Sequence, residues 1–185
     1  MSLWYLSAGL RYTTPHVDAR CPSPTLKPSG QNPLLVYTGE VKLYLDNSFL
    51  NRPFDDPLVG MNKDEGSVLF NIILFAKEGR VQLVRSAMIE VENTANQMAA
   101  RKSFVQSVMH LAGMYQNLND SIVRRVQSIV QEYRLQPLDA VHIASSEAAQ
   151  VDFFITCDYT VLKRYQGTLP IVAPLQFAQH YENNH

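Results

Sequence analysis

Short apolar runs alternate with amphipathic stretches from residue 41 onward, and this alternation predicts strands separated by helices. Four runs are rich in β-branched and aromatic residues and end at a polar residue or a turn, which is typical of buried strands. The predicted strands are 41–45, 81–84, 152–157 and 170–173. Because helices separate them, the pattern predicts a three-layer α/β/α fold with a central, mostly parallel sheet.

The segments between the strands carry apolar residues at helical spacing, so each is expected to bury one face. Ser86 is expected to cap a helix that runs through Ala100, because a serine hydroxyl accepts hydrogen bonds from the free N–H groups of a first turn. We interpret the apolar stripe of 121–133 as core, with an interface as the alternative. The predicted helices are 67–77, 87–100, 104–114, 121–133, 137–149 and 159–165.

Residues 1–38 differ from the rest because prolines crowd into them together with Ser, Thr and Gly, which interrupts regular structure. We expect a poorly ordered N-terminal extension over 1–38, either a flexible leader or a regulatory or partner-binding tail. A single folded domain is expected over 39–185.

Composition narrows the classes of protein that fit. Hydrophobic residues make up 46% of the 185 residues and charged residues 18%, so the chain can build a core and is not of the disordered class. The formal net charge of −1 excludes a general cationic field, so any RNA-binding surface must be a local patch. Cys21 and Cys157 have no metal-ligand spacing, and no apolar run reaches about 18 residues, so we expect a cytoplasmic protein without a membrane span.

Four carboxylates fall where a single site at the edge of the sheet would need them. Asp46 and Asp158 directly follow two predicted strands, and Asp139 lies in the first turn of the helix before the Asp158 strand. Glu92 lies two turns into the helix after the second strand, with Glu90 close by. Because the crevice of an open parallel sheet lies beyond the carboxyl ends of its strands, we expect these acids to converge there.

Converging carboxylates repel one another, and a divalent cation would relieve that repulsion. Hard oxygen ligands with retained water suit Mg²⁺ or Mn²⁺, and the matching chemistry is phosphodiester hydrolysis. Each acid has a plainer interpretation when it is taken alone. Asp46 would be a turn residue, Asp139 a helix-dipole carboxylate, Asp158 a helix cap and Glu92 a solvated residue. Their joint placement favours a common site.

Four motifs, taken in order and with their spacing, carry a resemblance to a known family. They are LYLDNSFLNRPFDD at 43–56, SAMIEVEN at 86–93, PLDAVHIA at 137–144 and FITCD at 154–158. Over residues 41 to 175 the chain resembles the PIN-domain family, which includes the VapC-like metal-dependent ribonucleases of toxin–antitoxin pairs. Asn47 is a departure, since the family often has a small hydroxyl residue beside the first aspartate, and here Ser48 follows it.

The resemblance implies a PIN-like fold and an Mg²⁺- or Mn²⁺-dependent endoribonuclease. It places the helix glutamate at Glu92, six residues after Ser86, with Glu90 as the alternative. RNA is the implied substrate, a cognate antitoxin is a candidate protein partner, and a homodimer is a candidate assembly. The acids that would bind the metal and act in catalysis are Asp46, Glu92, Asp139 and Asp158.

Other residues near these motifs have less specific interpretations. His142, three positions after Asp139, either touches the site or is a buried helix histidine, which is the commoner case. Cys157 is interpreted as a packed thiol because no partner base is evident. Arg52, in the loop after Asp46, is the best candidate for holding the RNA backbone.

Two non-enzymatic alternatives stay open. One is a PIN-like module that binds RNA or protein without cutting, although the complete acidic set argues against it. The other is an adhesion-type metal site of the form Asp-x-Ser-x-Ser, which the chain matches at Asp46 and Ser48 but not at Leu50.

Overall fold

A sheet of five parallel strands lies at the centre of the computed structural model, which describes residues 40–184. Its spatial order is β3-β2-β1-β4-β5, so β1 is central. The predicted extension over 1–38 lies outside the described residues. The strands are β1 (Val41–Leu45), β2 (Val81–Ser86), β3 (Met114–Gln116), β4 (Phe153–Ile155) and β5 (Ile171–Val172).

Helices connect the strands and flank the sheet, which confirms the predicted three-layer α/β/α architecture. A single 3-10 turn, Arg52–Phe54, follows the first helix. None of the helices within residues 40–184 is long and apolar enough to cross a membrane. The helices are α1 (Asn47–Leu50), α2 (Asn62–Lys77), α3 (Ala87–Ala95), α4 (Ala99–Met109), α5 (Asp120–Tyr133), α6 (Pro137–Ala148), α7 (Tyr159–Arg164) and α8 (Pro174–Asn184).

The central strand β1 is apolar at almost every position because neighbouring elements cover it on all sides. Leu43, Tyr44 and Leu45 are buried, and only Lys42 interrupts the run. When both faces of a parallel strand are covered, no side chain faces solvent, so polar residues do not alternate with apolar ones. The continuous run therefore identifies β1 as a central strand.

The register between β1 and β4 sets the two strand ends side by side. Leu45 of β1 pairs with Ile155 of β4, and the backbone N–H of Asp46 donates to the carbonyl of Ile155 at 2.9 Å. The residues that follow the two strands, Asp46 and Thr156, therefore begin the same edge of the sheet.

The structure corrects the prediction around α3 and α4. The predicted helix through Ala100 ends at Ala95, and α4 starts at Ala99 and ends at Met109, earlier than the predicted 104–114. Residues 114–116 form the edge strand β3, which was not predicted. Its side chains are exposed or half-buried and carry no alternating pattern, because its pairing with β2 is made by the backbone. The expected cap was correct: Ser86 Oγ accepts from Ile89 N at 3.3 Å.

The last helix, α8, was also not predicted, because its apolar residues are few and are separated by polar ones. Phe177 and Tyr181, one turn apart, are both buried. Tyr181 stacks on Phe75 of α2 with ring centroids 5.2 Å apart, so α8 packs against α2.

The apolar stripe of α5 faces the core. Ile122 and Ile129 are buried, whereas Val123, beside the stripe, is 52% exposed. The interpretation of this stripe as core is therefore confirmed for Ile122 and Ile129.

Replacing Ile129 with alanine should lower the free energy of unfolding by about 2–5 kcal/mol, since a buried aliphatic side chain would leave a cavity. Val123→Ala on the exposed face of the same helix should change it by less than about 0.5 kcal/mol. Urea unfolding followed by circular dichroism would measure both changes. Equal effects of the two substitutions would contradict this packing of α5.

Candidate functional site

An open cleft of about 460 Å³ lies beyond the carboxyl ends of β1 and β4. All four acids predicted from the sequence line it, although they come from four separate segments of the chain. The lining residues are Asp46, Asn47, Ser48, Asn51, Arg52, Asp55, Glu92, Asn96, Arg101, Asp139, His142 and Asp158.

Asp46 caps α1 and is held by hydroxyl groups from two elements. Its Oδ1 accepts from Asn47 N at 2.8 Å. Its Oδ2 accepts from Ser48 Oγ at 2.5 Å and from Thr156 Oγ1 at 2.7 Å. These donors fix the plane of the carboxylate. Sequence reasoning overlooked Thr156, whose position next to Asp46 follows from the pairing of β1 with β4.

Asp158 both caps a helix and lines the cleft, so its plainer interpretation and its candidate role are compatible. Its Oδ1 accepts from Thr160 N at 2.6 Å and Val161 N at 3.2 Å, at the start of α7. Its backbone N–H donates to Thr156 Oγ1 at 3.0 Å. Thr156 therefore ties together the backbone of Asp158 and the carboxylate of Asp46.

Asp139 lies in the first turn of α6, where the charges of other acids affect its pKa. Burial raises the pKa of this carboxyl group, and the charges of Asp158 and Asp46 raise it further. A nearby His142 acts in the opposite direction without reversing the shift. Bringing these negative charges together in the cleft therefore costs free energy.

Of the two candidate glutamates on α3, Glu92 is the one that lines the cleft. Its Oε2 lies 2.8 Å from Nε2 of His142. Glu90 instead accepts from Tyr115 Oη at 3.3 Å and lies 3.6 Å from a guanidinium nitrogen of Arg85. The fold thus turns Glu92 towards the other acids and Glu90 towards β2 and β3.

His142 combines the two interpretations that the sequence offered. The ring is buried, with 3% exposure, and it also contacts the site through Glu92. Burial acts to lower the pKa of His142, but the hydrogen bond to Glu92 and the charges of Asp46, Glu92 and Asp139 outweigh it and raise this pKa. The other ring nitrogen, Nδ1, lies 2.8 Å from Tyr44 Oη.

Arg52 lines the cleft, but its guanidinium group already forms salt bridges with carboxylates. Its Nε lies 2.7 Å from Glu65, and a terminal nitrogen lies 3.0 Å from Asp55. Arg101 of α4 shares Asp55 at 3.2 Å and also donates to the carbonyl of Phe54. Asp55 therefore holds two guanidinium groups at one wall of the cleft.

Cys157 lies beside this group and behaves as a packed thiol. Burial and the nearby charge of Glu65 raise the pKa of Cys157 to about 12, despite the opposing effect of Arg52. A thiol with that pKa is not ionised at neutral pH, which agrees with the interpretation from sequence.

Comparison with solved structures finds the same fold in other proteins. The chain is similar to one in a toxin–antitoxin complex from Klebsiella pneumoniae, with a TM-score of 0.51 and 17% identity over 71% of this chain and 97% of that chain. It is also similar to one in the crystal structure of VapBC2 from Rickettsia felis bound to a DNA fragment from their promoter. That match has a TM-score of 0.52 and 12% identity, over 72% and 98% of the two chains.

The chain shares its fold with proteins of toxin–antitoxin complexes. At this level of identity the likeness concerns the fold alone: a parallel five-stranded sheet flanked by helices. No protein-family model matches the chain, and no curated protein matches it in sequence.

The oxygen-rich lining suits a hard divalent cation held in an open site. Within the described residues, no three His, Cys, Asp or Glu side chains lie close enough together to enclose a metal ion. Mg²⁺ rarely needs such a cage, because it keeps several waters and uses one or two carboxylates together with substrate phosphates. Burial and the charges of Asp158 and Asp46 raise the pKa of Asp139, and a cation bound here would relieve this repulsion. The cleft therefore fits a hydrated ion.

Asp139→Asn should raise the thermal unfolding midpoint of the metal-free protein at pH 7. An acid whose pKa is raised by folding stabilises the fold below its unfolded pKa, and that contribution is lost as the pH rises through the folded pKa. Asparagine removes the ionised form, so the difference from wild type should disappear below about pH 3.9, the ordinary aspartate pKa. Scanning fluorimetry in EDTA across this pH range would measure it.

Asp120→Asn is the matched control, because Asp120 also lies in the first turn of a helix but does not line the cleft. It should lose a small amount of stability at pH 7 as a helix-dipole carboxylate. A lower unfolding midpoint for Asp139→Asn under the same conditions would contradict the proposed repulsion.

Proposed function

We propose that the protein is a divalent-metal-dependent endoribonuclease, a VapC-like member of the PIN-domain family, that hydrolyses RNA phosphodiester bonds in the acidic cleft. One observation carries the proposal: four carboxylates from separate segments line one cleft beyond the carboxyl ends of a parallel sheet. The four sequence motifs and the likeness in fold to chains of toxin–antitoxin complexes support it.

The residues that would hold Mg²⁺ or Mn²⁺, directly or through its coordinated waters, are Asp46, Glu92, Asp139 and Asp158. When bound, such an ion polarises a phosphoryl oxygen and lowers the pKa of a coordinated water. The chain contributes orientation, because Ser48 and Thr156 hold the carboxylate of Asp46 and His142 holds that of Glu92. These contacts exist before any substrate arrives, so little reorganisation is needed on binding.

Hydrogen-bond donors form the other part of the lining and suit the polar groups of RNA. The side chains of Asn47, Asn51 and Asn96 share the cleft with Arg52 and Arg101. Asn51 Nδ2 donates to Asn47 Oδ1 at 2.9 Å, and Asn96 Nδ2 donates to Asn51 Oδ1 at 3.4 Å. This direction of donation leaves the amide N–H groups of Asn47 to meet an acceptor such as a phosphate or sugar oxygen. These polar donors form a local surface for RNA in a chain of net charge −1.

A cognate antitoxin protein is the partner that the structural likeness suggests, since both similar structures are toxin–antitoxin complexes. We place such a protein among the expected partners of this chain. Its presence would be tested by co-expression with the neighbouring gene followed by purification.

Cleavage of a mixed set of labelled RNAs should require both Mn²⁺ or Mg²⁺ and the carboxylate of Asp46. EDTA should abolish cutting, and Asp46→Asn should reduce the rate at least about 100-fold, the scale of losing one group that stabilises charge in the transition state. Asp120→Asn is the control and should cut as wild type does. If folded protein cut none of the RNAs with either metal, the result would favour the non-cutting scaffold and contradict the proposal.

Glu92→Gln and Glu90→Gln separate the two candidate glutamates on one helix. Glu92→Gln should lower the rate of RNA cleavage by at least about 10-fold, because it removes a proposed ligand charge. Glu90→Gln should leave the rate within about twofold, because Glu90 faces Tyr115 and Arg85 outside the cleft. Single-turnover cleavage measures both rates, and an equal loss in the two variants would contradict the placement of the site.

A further inference from the structure

A chain of polar side chains runs through the core and ends at Glu92. Ser86 Oγ lies 2.6 Å from Tyr44 Oη, and Tyr44 Oη lies 2.8 Å from His142 Nδ1. His142 Nε2 lies 2.8 Å from Glu92 Oε2. Ser86, Tyr44 and His142 are buried, and the chain meets the cleft at His142 and Glu92, whose side chain is 17% exposed. We call these four residues the buried polar chain.

The buried polar chain is drawn from four elements that are far apart in sequence. Tyr44 is in β1, Ser86 ends β2, His142 is in α6 and Glu92 is in α3. Polar groups in an apolar core cost stability unless each has a hydrogen-bond partner. Here each member bonds to the next, so removal of the Tyr44 hydroxyl takes away the partner of Nδ1 of His142.

The hydrogen-bond directions along the chain are set by its two ends. An ionised carboxylate only accepts, so Nε2 of His142 must carry a hydrogen that it donates to Glu92. Tyr44 Oη lies between Ser86 Oγ and Nδ1 of His142, and a phenol hydroxyl has one hydrogen to donate. With a neutral ring, that hydrogen goes to Nδ1 of His142, and Ser86 donates to Tyr44. The chain therefore fixes which ring nitrogen is protonated.

Packing fixes the rotation of the rings as well. The ring of Tyr44 meets that of Phe154 in β4 at a centroid distance of 5.4 Å and that of His142 edge-on at 5.9 Å. The edge-on contact with Tyr44 and two hydrogen bonds fix the orientation of the His142 ring. The hydrogen bond from Nε2 in turn orients the carboxylate of Glu92.

We propose that His142, oriented by Tyr44 and Ser86, is a positioning residue that holds one oxygen of Glu92 and so presents the carboxylate to the divalent cation. The proposal rests on the function proposed above. It assigns Tyr44 and Ser86 a role in metal affinity even though both lie in the core. Groups that orient a metal ligand from outside typically change metal affinity by about 10–100-fold when they are removed.

The test is Mn²⁺ binding to the full chain, measured by titration calorimetry, with RNA cleavage as a second readout. Tyr44→Phe removes one hydroxyl and keeps the ring, while His142→Leu removes both ring nitrogens. Each should weaken Mn²⁺ binding about 10–100-fold. His142→Gln retains an N–H group that reaches towards Glu92, so it should recover most of the affinity that His142→Leu loses.

Two controls separate positioning from general loss of structure. Ser146→Ala removes another buried hydroxyl from α6, one that donates to the carbonyl of His142 at 2.8 Å, and should leave Mn²⁺ affinity unchanged. In a Glu92→Gln background, His142→Leu should cause no further loss of affinity, because the two residues act through one contact. Circular dichroism would show whether each variant is folded. If His142→Leu does not fold, the affinity of Tyr44→Phe decides the test.

The outcomes distinguish this proposal from the proposed function. Unchanged Mn²⁺ affinity in folded Tyr44→Phe and His142→Leu proteins, or a further loss of affinity when His142→Leu is added to Glu92→Gln, would overturn the positioning role alone. A wild-type protein that binds Mn²⁺ without cutting RNA would overturn the nuclease proposal, while the affinities of the variants would still decide the positioning role. A wild-type protein that binds no Mn²⁺ would overturn both.

Discussion

The parallel pairing of β1 with β4 is the constraint on which the rest of the site depends. Leu45 and Ile155 are partners, and Asp46 N donates to the carbonyl of Ile155, so the two strands end together. The next residues along each strand, Asp46 and Thr156, then meet through a 2.7 Å hydrogen bond. A shift of this register would separate that pair and exchange the side chains packed on the two faces of the strand, so the apolar core and the acidic cleft depend on the same register.

Charge is the second constraint, because the acids at this edge repel one another. The raised pKa of Asp139 shows the cost, and positive groups offset it only in part. Arg52 and Arg101 share Asp55 at one wall, while His142 supports Glu92 from within the core. The remaining negative charge is what a divalent cation would neutralise. His142 of α6 thus belongs both to the packed core and to the charged lining of the cleft.

Local pattern was enough to predict much of this molecule. The apolar runs of β1, β2 and β4 were found because strands covered on both faces are apolar throughout. The sequence also predicted that Asp46, Glu92, Asp139 and Asp158 converge, because residues after strands and at helix starts collect at one edge of a parallel sheet. The fold class and the candidate acids therefore follow from side-chain type and position alone. Edge strand β3 and helix α8 were missed, since their stability comes from backbone pairing and from two scattered aromatic residues.

Contacts between distant residues were decided only by the tertiary structure. Sequence spacing left Glu90 and Glu92 as alternatives, and the orientation of α3 against α6 places Glu92 beside His142. Likewise, the sequence does not show that the hydroxyl of Thr156 contacts Asp46, because this depends on β1 lying next to β4. Nor does it show that Glu65 pairs with Arg52, because this depends on the packing of α2. Periodicity reports what one element buries, whereas these contacts depend on how two elements pack. The sequence by itself thus determined the fold class and the four candidate acids, because these follow from local pattern. The packing of the elements determined which side chains touch, because those contacts join residues that are distant in sequence.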